Sequence, residues 1–427
     1  MEGFSLTVLE TIWNRTPSCF THLKDLTISL TPDVKMLLLL LKLAANSPLR
    51  RIRIHTESRL EPDRHPCLSQ ILEPLHSTTS LMHLKLEFHP RKPSFWSSLV
   101  QSWKGLTDIH MELEESGQEL YNVAAVLDSL SSLPLLSNLK ISSVNDAKDL
   151  RPEYIFVNLQ SLQVYFFNEP TDLIGRLRAP HLSLIHVIFL GPIDEPTWSN
   201  MFTMIDQCNP TQTLLTIAME MERHWDAALE IPEELSRGES FNEDTFRPLY
   251  VFHRLQSLEI RPGLSCHLLT NEFYEILPMH WPMLETFHLG GHLIWSSTYP
   301  VATLKAIVAI LDGCHHIRHL CIPHIRGWPL PDTGKIYGTI ESIGNIFGEY
   351  ITLWSYLEWT TTFLPSVTNI STALSSYDDQ ARKCEILSNE FQPDIRFNSV
   401  AVWYVDCVLV SHDDIQLWAD RIGDNEE

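Results

Sequence analysis

The chain has 427 residues, of which 44% are apolar and 20% are charged. This composition is typical of a folded protein and excludes an intrinsically disordered chain. Its 53 acidic residues outnumber its 31 basic residues and give a formal net charge of −22. That charge argues against nucleic acid and anionic membranes as partners, because both select a basic surface.

Eight cysteines are spread thinly along the chain and form no C-x-x-C pair. In a chain of this length we expect them to be free thiols in a reducing compartment. The first residues lack the basic and apolar segments of a signal peptide, and the longest apolar run, 36–45, is too short to span a bilayer. These features predict a cytoplasmic or nuclear protein with no membrane partner.

A six-residue pattern recurs in chain order: L-x-x-L-x-L, with other apolar residues allowed at the leucine positions. Its copies begin at Leu23, Leu49, Leu81, Leu106, Leu136, Leu159, Leu182, Leu255, Leu284 and Ile317, with a weaker copy at 215–217. Several consecutive copies start 23 to 33 residues apart, which is typical of a leucine-rich repeat array. The last two apolar positions lie two residues apart and predict a short strand with one buried face.

Segments with helical spacing of apolar residues lie between these strands, at 34–45, 68–75, 95–103, 120–130, 198–205, 273–281 and 303–311. One strand and one helix cannot bury their apolar faces alone, so the units must stack. The sequence therefore predicts an α/β fold: an irregular leucine-rich-repeat solenoid, or horseshoe, with parallel concave strands and helices on the convex side. The alternative is a doubly wound α/β domain, which the repeated strand motif and the missing G-x-G-x-x-G turn disfavour.

The array is predicted to cover residues 1–375 and to be irregular. A regular repeat carries Asn or Cys nine residues into the motif, whereas this chain has Val144, Phe167, Gly263, His292 and Ile325. An acidic insertion at about 220–246 is either a solvated loop or a docking loop for a basic partner. A last degenerate strand is expected at 364–370. Residues 376–427 are predicted to form a C-terminal capping tail, with a strand at 400–410 and a helix at 413–422.

Three stretches within residues 245–322 read FRPLYVFHRLQSLEI, LTNEFYEILPMHWPMLETFHLG and TLKAIVAILDGCHHIRHLCI. They resemble the leucine-rich repeats of fungal F-box-type proteins, whose helices end in W-P-x-L-x-x-L-x-L-G or C-x-x-L-x-x-L-x-I. The matching positions are Phe252, Leu255, Leu269, Thr270, Trp281, Pro282, Leu284, Gly290, Thr303, Leu304 and Cys314.

This resemblance implies a non-enzymatic, protein-binding repeat protein that acts as a substrate-recognition subunit of a cullin-type ubiquitin ligase. Such a subunit would contact the ligase adaptor through an F-box. No F-box sequence is visible before Leu23. The alternative is therefore a stand-alone repeat scaffold with no ubiquitin-ligase link.

Catalytic signatures such as G-x-S-x-G, G-x-x-x-x-G-K-[ST] and H-E-x-x-H are missing from the sequence, which predicts neither an enzyme nor a cofactor. The segment 314–324 holds two Cys and four His. Strand alternation brings only His319 and Cys321 of this segment together on the open face, whereas a structural zinc ion needs about four ligands. No metal site is predicted.

The same alternation identifies the side chains on the open, concave face of the strands. Candidate partner-binding residues there are Arg51, Arg53, His55, Lys85, His110, Lys140, Tyr165, Leu184 and Ile188. The middle strand positions form a basic row of Arg53, Lys85, His110 and Lys140, while Leu184 and Ile188 with Leu214 and Ala218 form an apolar patch. This patch is either a contact surface for a partner or covered by the acidic insertion. The row is either ordinary surface charge, balanced by Asp25, Glu87, Asp108 and Glu112, or a face for an acidic protein partner or anionic small ligand.

Overall fold

A computed structural model describes residues 15, 20–30, 34–45, 47–56, 78–86, 93–111, 123–141, 150–166, 173–190, 193–209, 212–221, 241–261, 266, 268–290 and 302–322. It also describes the backbone of four strands within 342–410. The chain divides into two compact units. The first unit comprises Met1–His186 with Gln207–Thr211, and the second comprises Val187–Asp206 with Gln212–Glu427.

The strands follow the repeated motif. They are β1 (Asp25–Leu30), β2 (Arg51–Thr56), β3 (His83–Leu86), β4 (Asp108–Met111), β5 (Asn138–Ile141), β6 (Tyr154–Ile155), β7 (Ser161–Phe166), β8 (Leu177–Arg178), β9 (Leu184–Phe189), β10 (Thr216–Met221), β11 (Ser257–Arg261), β12 (Thr286–Leu289), β13 (His319–Ile322), β14 (Ser342–Ile346), β15 (Asn369–Leu374), β16 (Arg396–Val402) and β17 (Cys407–Val410). Each motif copy found in the sequence therefore ends in a strand.

Among the described residues, eight of these strands are preceded by a helix. They are α1 (Val34–Ala45), α2 (Pro93–Ser102), α3 (Val123–Ser131), α4 (Leu173–Arg176), α5 (Glu195–Cys208), α6 (Glu243–Phe246), α7 (Asn271–His280) and α8 (Leu304–Gly313), with a 3-10 turn at Arg247–Val251. Six of the seven predicted helices are present. The predicted helix at 68–75 lies outside the described residues.

In the first unit, β1 to β5 and then β7 pair in parallel in chain order. In the second unit, β10 to β16 also pair in parallel in chain order. Parallel neighbours joined by helical crossovers match the predicted α/β leucine-rich-repeat solenoid and not a doubly wound sheet, whose strand order would reverse.

Three details differ from the sequence prediction. Strands β6 and β8 form a separate two-stranded parallel sheet that the motif does not mark. Near the expected last strand at 364–370, the structure has β15 at 369–374, and residues 364–368 lie outside the described residues. The expected single strand at 400–410 is instead two strands, β16 and β17, which pair antiparallel. The expected helix at 413–422 lies outside the described residues, and the domain division at residue 375 stays a prediction.

The core of the second unit is built from aromatic rings. Trp198 of α5 packs edge-on against Phe189 of β9, with ring centroids 5.0 Å apart, and against Phe241 at 5.8 Å. Phe246 of α6 continues the cluster, with its centroid 5.5 Å from that of Phe241. All four side chains have 0% exposure, and burying one ring of this size contributes about 1.5–3 kcal/mol to stability.

This cluster also includes part of the predicted acidic insertion. Glu220 lies in strand β10, and residues 241–246 belong to the packed chain around α6. Asn242 caps α6 by accepting a hydrogen bond from the backbone N–H of Thr245. The middle of the predicted insertion, 222–240, lies outside the described residues.

The positions that carry the family resemblance link neighbouring repeats. The indole N–H of Trp281 donates to the carbonyl of Leu249 at 3.1 Å. The Cys314 thiol donates in turn to the carbonyl of Trp281 at 3.5 Å. Both side chains are buried, so these residues satisfy the backbone at the ends of two consecutive helices. Their role is structural.

Candidate protein-binding face

The open face of the first unit is formed by alternate strand residues. In β7, for example, Leu162, Val164 and Phe166 are buried, while Ser161, Gln163 and Tyr165 are half-buried on the other side. Successive strand side chains point to opposite sides, so the non-buried positions of all strands share one side of the sheet. We call that side the open face.

The pairing register aligns the middle positions of these strands. Lys85 lies opposite both Arg53 and His110, and Lys140 lies opposite both His110 and Gln163. The middle row is therefore Thr27, Arg53, Lys85, His110, Lys140 and Gln163. The structure thus places the four members of the predicted basic row on consecutive strands. No carboxylate occupies this row among the described strands of the first unit.

A second row lies two positions earlier on each strand, on the same side of the sheet, and carries charges of both signs. Arg51 Nη1 lies 3.6 Å from Asp25 Oδ1, with both side chains more than 60% exposed. His83 Nδ1 lies 2.8 Å from Asp108 Oδ2, and Asn138 donates to Asp108 Oδ1 at 2.7 Å. We call this the paired row, because its carboxylates lie beside polar or cationic neighbours on the next strand.

The middle row ends in a polar and aromatic corner. The Lys140 ammonium lies 4.9 Å from the centroid of the Tyr165 ring, within the range of a cation–π interaction. The Gln163 amide donates to the Tyr165 hydroxyl at 3.0 Å and lies 3.2 Å from His186 Nδ1. These contacts join β5, β7 and β9 and hold the Tyr165 ring in place.

The predicted site residues differ in exposure. Arg51 and Arg53 are exposed, whereas Lys85, His110, Lys140, Tyr165 and Leu184 are half-buried. His55 is also half-buried, and its Nδ1 is buried without a hydrogen-bond partner among the residues that the structure describes. Eight of the nine candidate residues therefore have some side-chain surface available on the open face.

Ile188 is a correction. It is only 3% exposed, and it lies between the buried Val187 and Phe189. Three consecutive buried residues mean that both sides of β9 are covered at its C-terminal end, so simple alternation does not apply there. Leu214 is also buried, at 0% exposure, and precedes β10. The predicted apolar contact patch is therefore wrong at Ile188 and Leu214.

The described strands β1 to β5 and β7 carry four cationic residues, Arg51, Arg53, Lys85 and Lys140, against the two carboxylates Asp25 and Asp108. With neutral histidines this local charge is +2, whereas the whole chain carries −22. The predicted balancing residues Glu87 and Glu112 lie outside the described residues. Over these described strand residues the charge is therefore opposite in sign to that of the whole chain, and a local field of this kind favours an anionic partner.

The open face of the second unit has a different character. Arg261 lies 3.3 Å from a carboxylate oxygen of both Glu220 and Glu259. On the next strands the register places His288 opposite Glu259 and Cys321 opposite His288.

Burial, assisted by the positive charge of Arg261, lowers the pKa of His288 to about 4. Burial raises the pKa of the Cys321 thiol to about 12. His288 and Cys321 are then a neutral imidazole and a protonated thiol, whereas nucleophilic chemistry at a cysteine requires the thiolate.

The segment 314–324 does not gather metal ligands where it is described. Cys314 is buried at 1% exposure in the core, whereas His319 is exposed and Cys321 is half-buried. His324 lies outside the described residues. Within the described part of the chain, no group of three or more His, Cys, Asp or Glu side chains is arranged to hold a metal ion.

Two contacts on the open face of the first unit were not singled out by sequence reasoning. Gln163 links Tyr165 to His186, and Asn138 links β5 to Asp108 on β4. Both positions follow from the motif, since each flanks a buried strand residue. Their contacts, however, depend on residues 23 to 30 positions away in the chain.

Comparisons with known proteins add little beyond the fold. No protein-family model matches the chain, and no curated protein matches it. A chain in the crystal structure of the Rad7 and Elc1 complex in yeast aligns with a TM-score of 0.44 and 12% identity, covering 92% of this chain and 86% of that one.

A chain in the crystal structure of the TLR13–ssRNA13 complex aligns with a TM-score of 0.28 and 10% identity. It covers 82% of this chain, which spans 48% of that chain's length. At these values neither likeness carries information on partners or activity. In the described part of this chain, no helix combines the length and apolarity needed to cross a bilayer.

Proposed function

We propose that this chain is a non-enzymatic, protein-binding repeat protein whose contact surface is the open face of its first unit. The observation that carries the proposal is the middle row, in which the pairing register aligns Arg53, Lys85, His110 and Lys140 on four consecutive strands. A surface repeated in this way across strands offers several contacts to one partner at once.

The finer proposal is that the chain presents substrates to a cullin-type ubiquitin ligase. It rests on the sequence resemblance within 245–322 to fungal F-box-type repeats. The buried Trp281 and Cys314, which match that pattern, support a shared repeat architecture. The competing proposal is a stand-alone repeat scaffold with no ubiquitin-ligase link.

A photo-crosslinking experiment tests the contact surface. Benzoylphenylalanine is placed at Gln163 on the open face and, as a control, at Ser97, which is exposed on helix α2. We expect a partner to crosslink from Gln163 and not from Ser97. The partner should also be lost from the triple variant R53E/K85E/K140E. Crosslinking from both positions alike, or retention by the triple variant, would contradict the proposed surface.

A matched control makes the charge effect specific. The variant K24E/K42E/K104E makes the same change in net charge at three exposed lysines of the first unit that lie off the middle row. We expect it to retain the partner. For the ligase proposal, the full-length gene product should co-purify with the adaptor of a cullin-type ligase, and failure to do so would favour the stand-alone scaffold.

A further inference from the structure

The middle row runs across the strands, with one residue from each strand paired to the next. Neighbouring strands lie about 4.8 Å apart, so three strand spacings separate Arg53 from Lys140 by about 14 Å. Lys85 lies one spacing from Arg53, and His110 lies one spacing from Lys140. Positive charge is therefore arranged along a line and not around a point, which suits an extended ligand better than a single small anion.

The paired row determines on which side of this line an anionic ligand can lie. Its carboxylates, Asp25 and Asp108, lie two positions earlier on their strands and are held beside Arg51 and His83. Negative groups of a ligand would be repelled by these carboxylates and attracted by the middle row. The ligand would consequently be directed along the middle row.

The polar corner at Tyr165 defines one end of the line. The Tyr165 ring lies under the Lys140 ammonium, and Gln163 holds the Tyr165 hydroxyl. A lysine positioned over an aromatic ring loses less side-chain freedom when it binds an anion. Lys140 is therefore a preferred contact for one anionic group, and Arg53 with Lys85 forms the contact for a second.

We infer that the ligand of the open face is an extended acidic peptide segment of a partner protein, lying along the middle row across the strands. This inference rests on the proposed function. An extended chain advances about 3.4 Å per residue, so two acidic side chains four residues apart would span the row from Arg53 to Lys140. Residues i and i+4 of an extended peptide also point to the same side.

A nucleic acid strand is the competing polyanion, and the overall charge disfavours it. The chain carries −22, so a long polyanion would meet repulsion beyond the reach of this local face. A short acidic segment needs only the field within about one Debye length, roughly 8 Å at physiological salt. The observations therefore favour the peptide.

Fluorescence anisotropy with labelled nine-residue peptides tests the inference on the full chain. The probe carries Glu at positions 3 and 7 among Gly and Ser, and its controls carry Gln at both positions or Glu at positions 4 and 5. We expect the probe to bind about two- to 25-fold more tightly than the Gln peptide, because each of its two exposed ion pairs contributes up to about fivefold. Its affinity should fall as salt rises from about 20 to 300 mM.

The variant R53E/K85E/K140E should weaken probe binding at least about tenfold, whereas K24E/K42E/K104E should leave it within about twofold. Equal binding of the probe and the Gln peptide would overturn the acidic ligand. Equal binding of the two Glu peptides would overturn the alignment along the row. Tighter binding of a nine-nucleotide single-stranded DNA than of the probe would replace the peptide by nucleic acid.

The crosslinking experiment at Gln163 separates this inference from the proposed function. A partner that crosslinks there while acidic peptides bind no better than neutral ones would leave the proposed function standing and overturn the inference. Acidic peptides that bind while no partner crosslinks there would overturn the proposed function, and with it the assignment of the ligand to a partner protein.

Discussion

The ammonium group of Lys140 lies 4.9 Å from the centroid of the Tyr165 ring, although the two residues come from different repeats. Lys140 is on β5 and Tyr165 on β7, two positions beyond the direct register partner of Lys140, which is Gln163. A cation over a ring face is attracted by the ring quadrupole, so the aromatic side chain fixes where this positive charge is presented.

Substitution of Tyr165 tests that relationship. Tyr165→Leu removes the ring face and should weaken acidic-peptide binding about two- to fivefold, since an exposed cation–π contact is worth about 0.5–1 kcal/mol. Tyr165→Phe keeps the ring, loses the hydrogen bond from Gln163, and should stay within about twofold of the wild type. Equal losses in the two variants would assign the effect to the hydroxyl instead.

Position 313, at the end of α8, requires a glycine because Pro278 of α7 approaches it closely. A Cβ added to Gly313 would lie 2.2 Å from the Cβ of Pro278, which is far inside van der Waals contact. Gly313→Ala should therefore lower the free energy of unfolding by about 1–3 kcal/mol, measured by urea titration. Lys305→Ala, at an exposed position of the same helix, should change it by less than about 0.5 kcal/mol.

A double-mutant cycle shows whether Pro278 causes the effect. Pro278→Gly removes the atom that the new Cβ would meet. In that background Gly313→Ala should cost clearly less than in the wild type, because neighbouring residues couple. An unchanged cost would mean that the helix end itself, and not Pro278, requires glycine.

His288 should make stability depend on pH in the acidic range. Burial and Arg261 lower its pKa to about 4 in the folded state, below the usual 6.5. The unfolded state therefore binds a proton that the folded state does not, and stability is lost as pH falls from about 6.5 toward 4. After allowing for partial exposure, the loss is about 1–3 kcal/mol.

Urea titrations at pH 7 and pH 4.5 measure this loss. His288→Gln should reduce the difference between the two pH values, because the glutamine does not titrate. His316→Gln, at an exposed position in the turn before β13, should leave the difference as in the wild type. A difference that His288→Gln does not change would assign the pH dependence to other groups.

The thiols of the folded chain should resist alkylation. Burial raises the pKa values of Cys208, Cys314 and Cys321 to about 12. At pH 8 only about one thiol in ten thousand is then ionised, and the thiolate is the reactive form. We expect iodoacetamide to label these cysteines in the folded chain at under about 1% of the rate found for the chain unfolded in guanidinium chloride. Mass spectrometry measures the extent of labelling at each cysteine.

Cys321 is the most informative of these thiols, because its register partner on the neighbouring strand is His288. Native labelling of Cys321 at the rate of an ordinary free thiol would contradict the raised pKa, and labelling faster than an ordinary free thiol would indicate a stabilised thiolate beside His288. That result would favour a nucleophilic role and contradict the proposal of a non-enzymatic protein.

The strand and helix layout could be predicted from the sequence because its signals are local. The motif L-x-x-L-x-L places two apolar residues two positions apart, and that spacing alone assigns one side of the strand to the core. Helix α1 has the predicted bounds, 34–45. The middle row could also be predicted, because Arg53 and Lys85 occupy the same position within their motif copies and parallel pairing aligns them.

Contacts between distant residues could not be predicted in this way. Asn209 is fully buried and donates to the carbonyl of Leu182 at 2.7 Å, although it lies outside the position where a regular repeat carries its asparagine. The sheet of β6 and β8 likewise joins segments more than twenty residues apart. Neither contact has a periodic signature, since each depends on how the chain between its two ends is folded.

The sequence by itself determined the repeat, the parallel order of its strands and the line of positive charge on a chain of net charge −22. These follow from period-two alternation and from equal positions in equal motifs. Only the tertiary structure decided that Ile188 is buried, that Pro278 leaves no room for a Cβ at Gly313, and that Tyr165 lies beneath Lys140. The reason is physical: whether a side chain is covered depends on groups brought to it from elsewhere in the chain, and alternation along one strand contains no information about them.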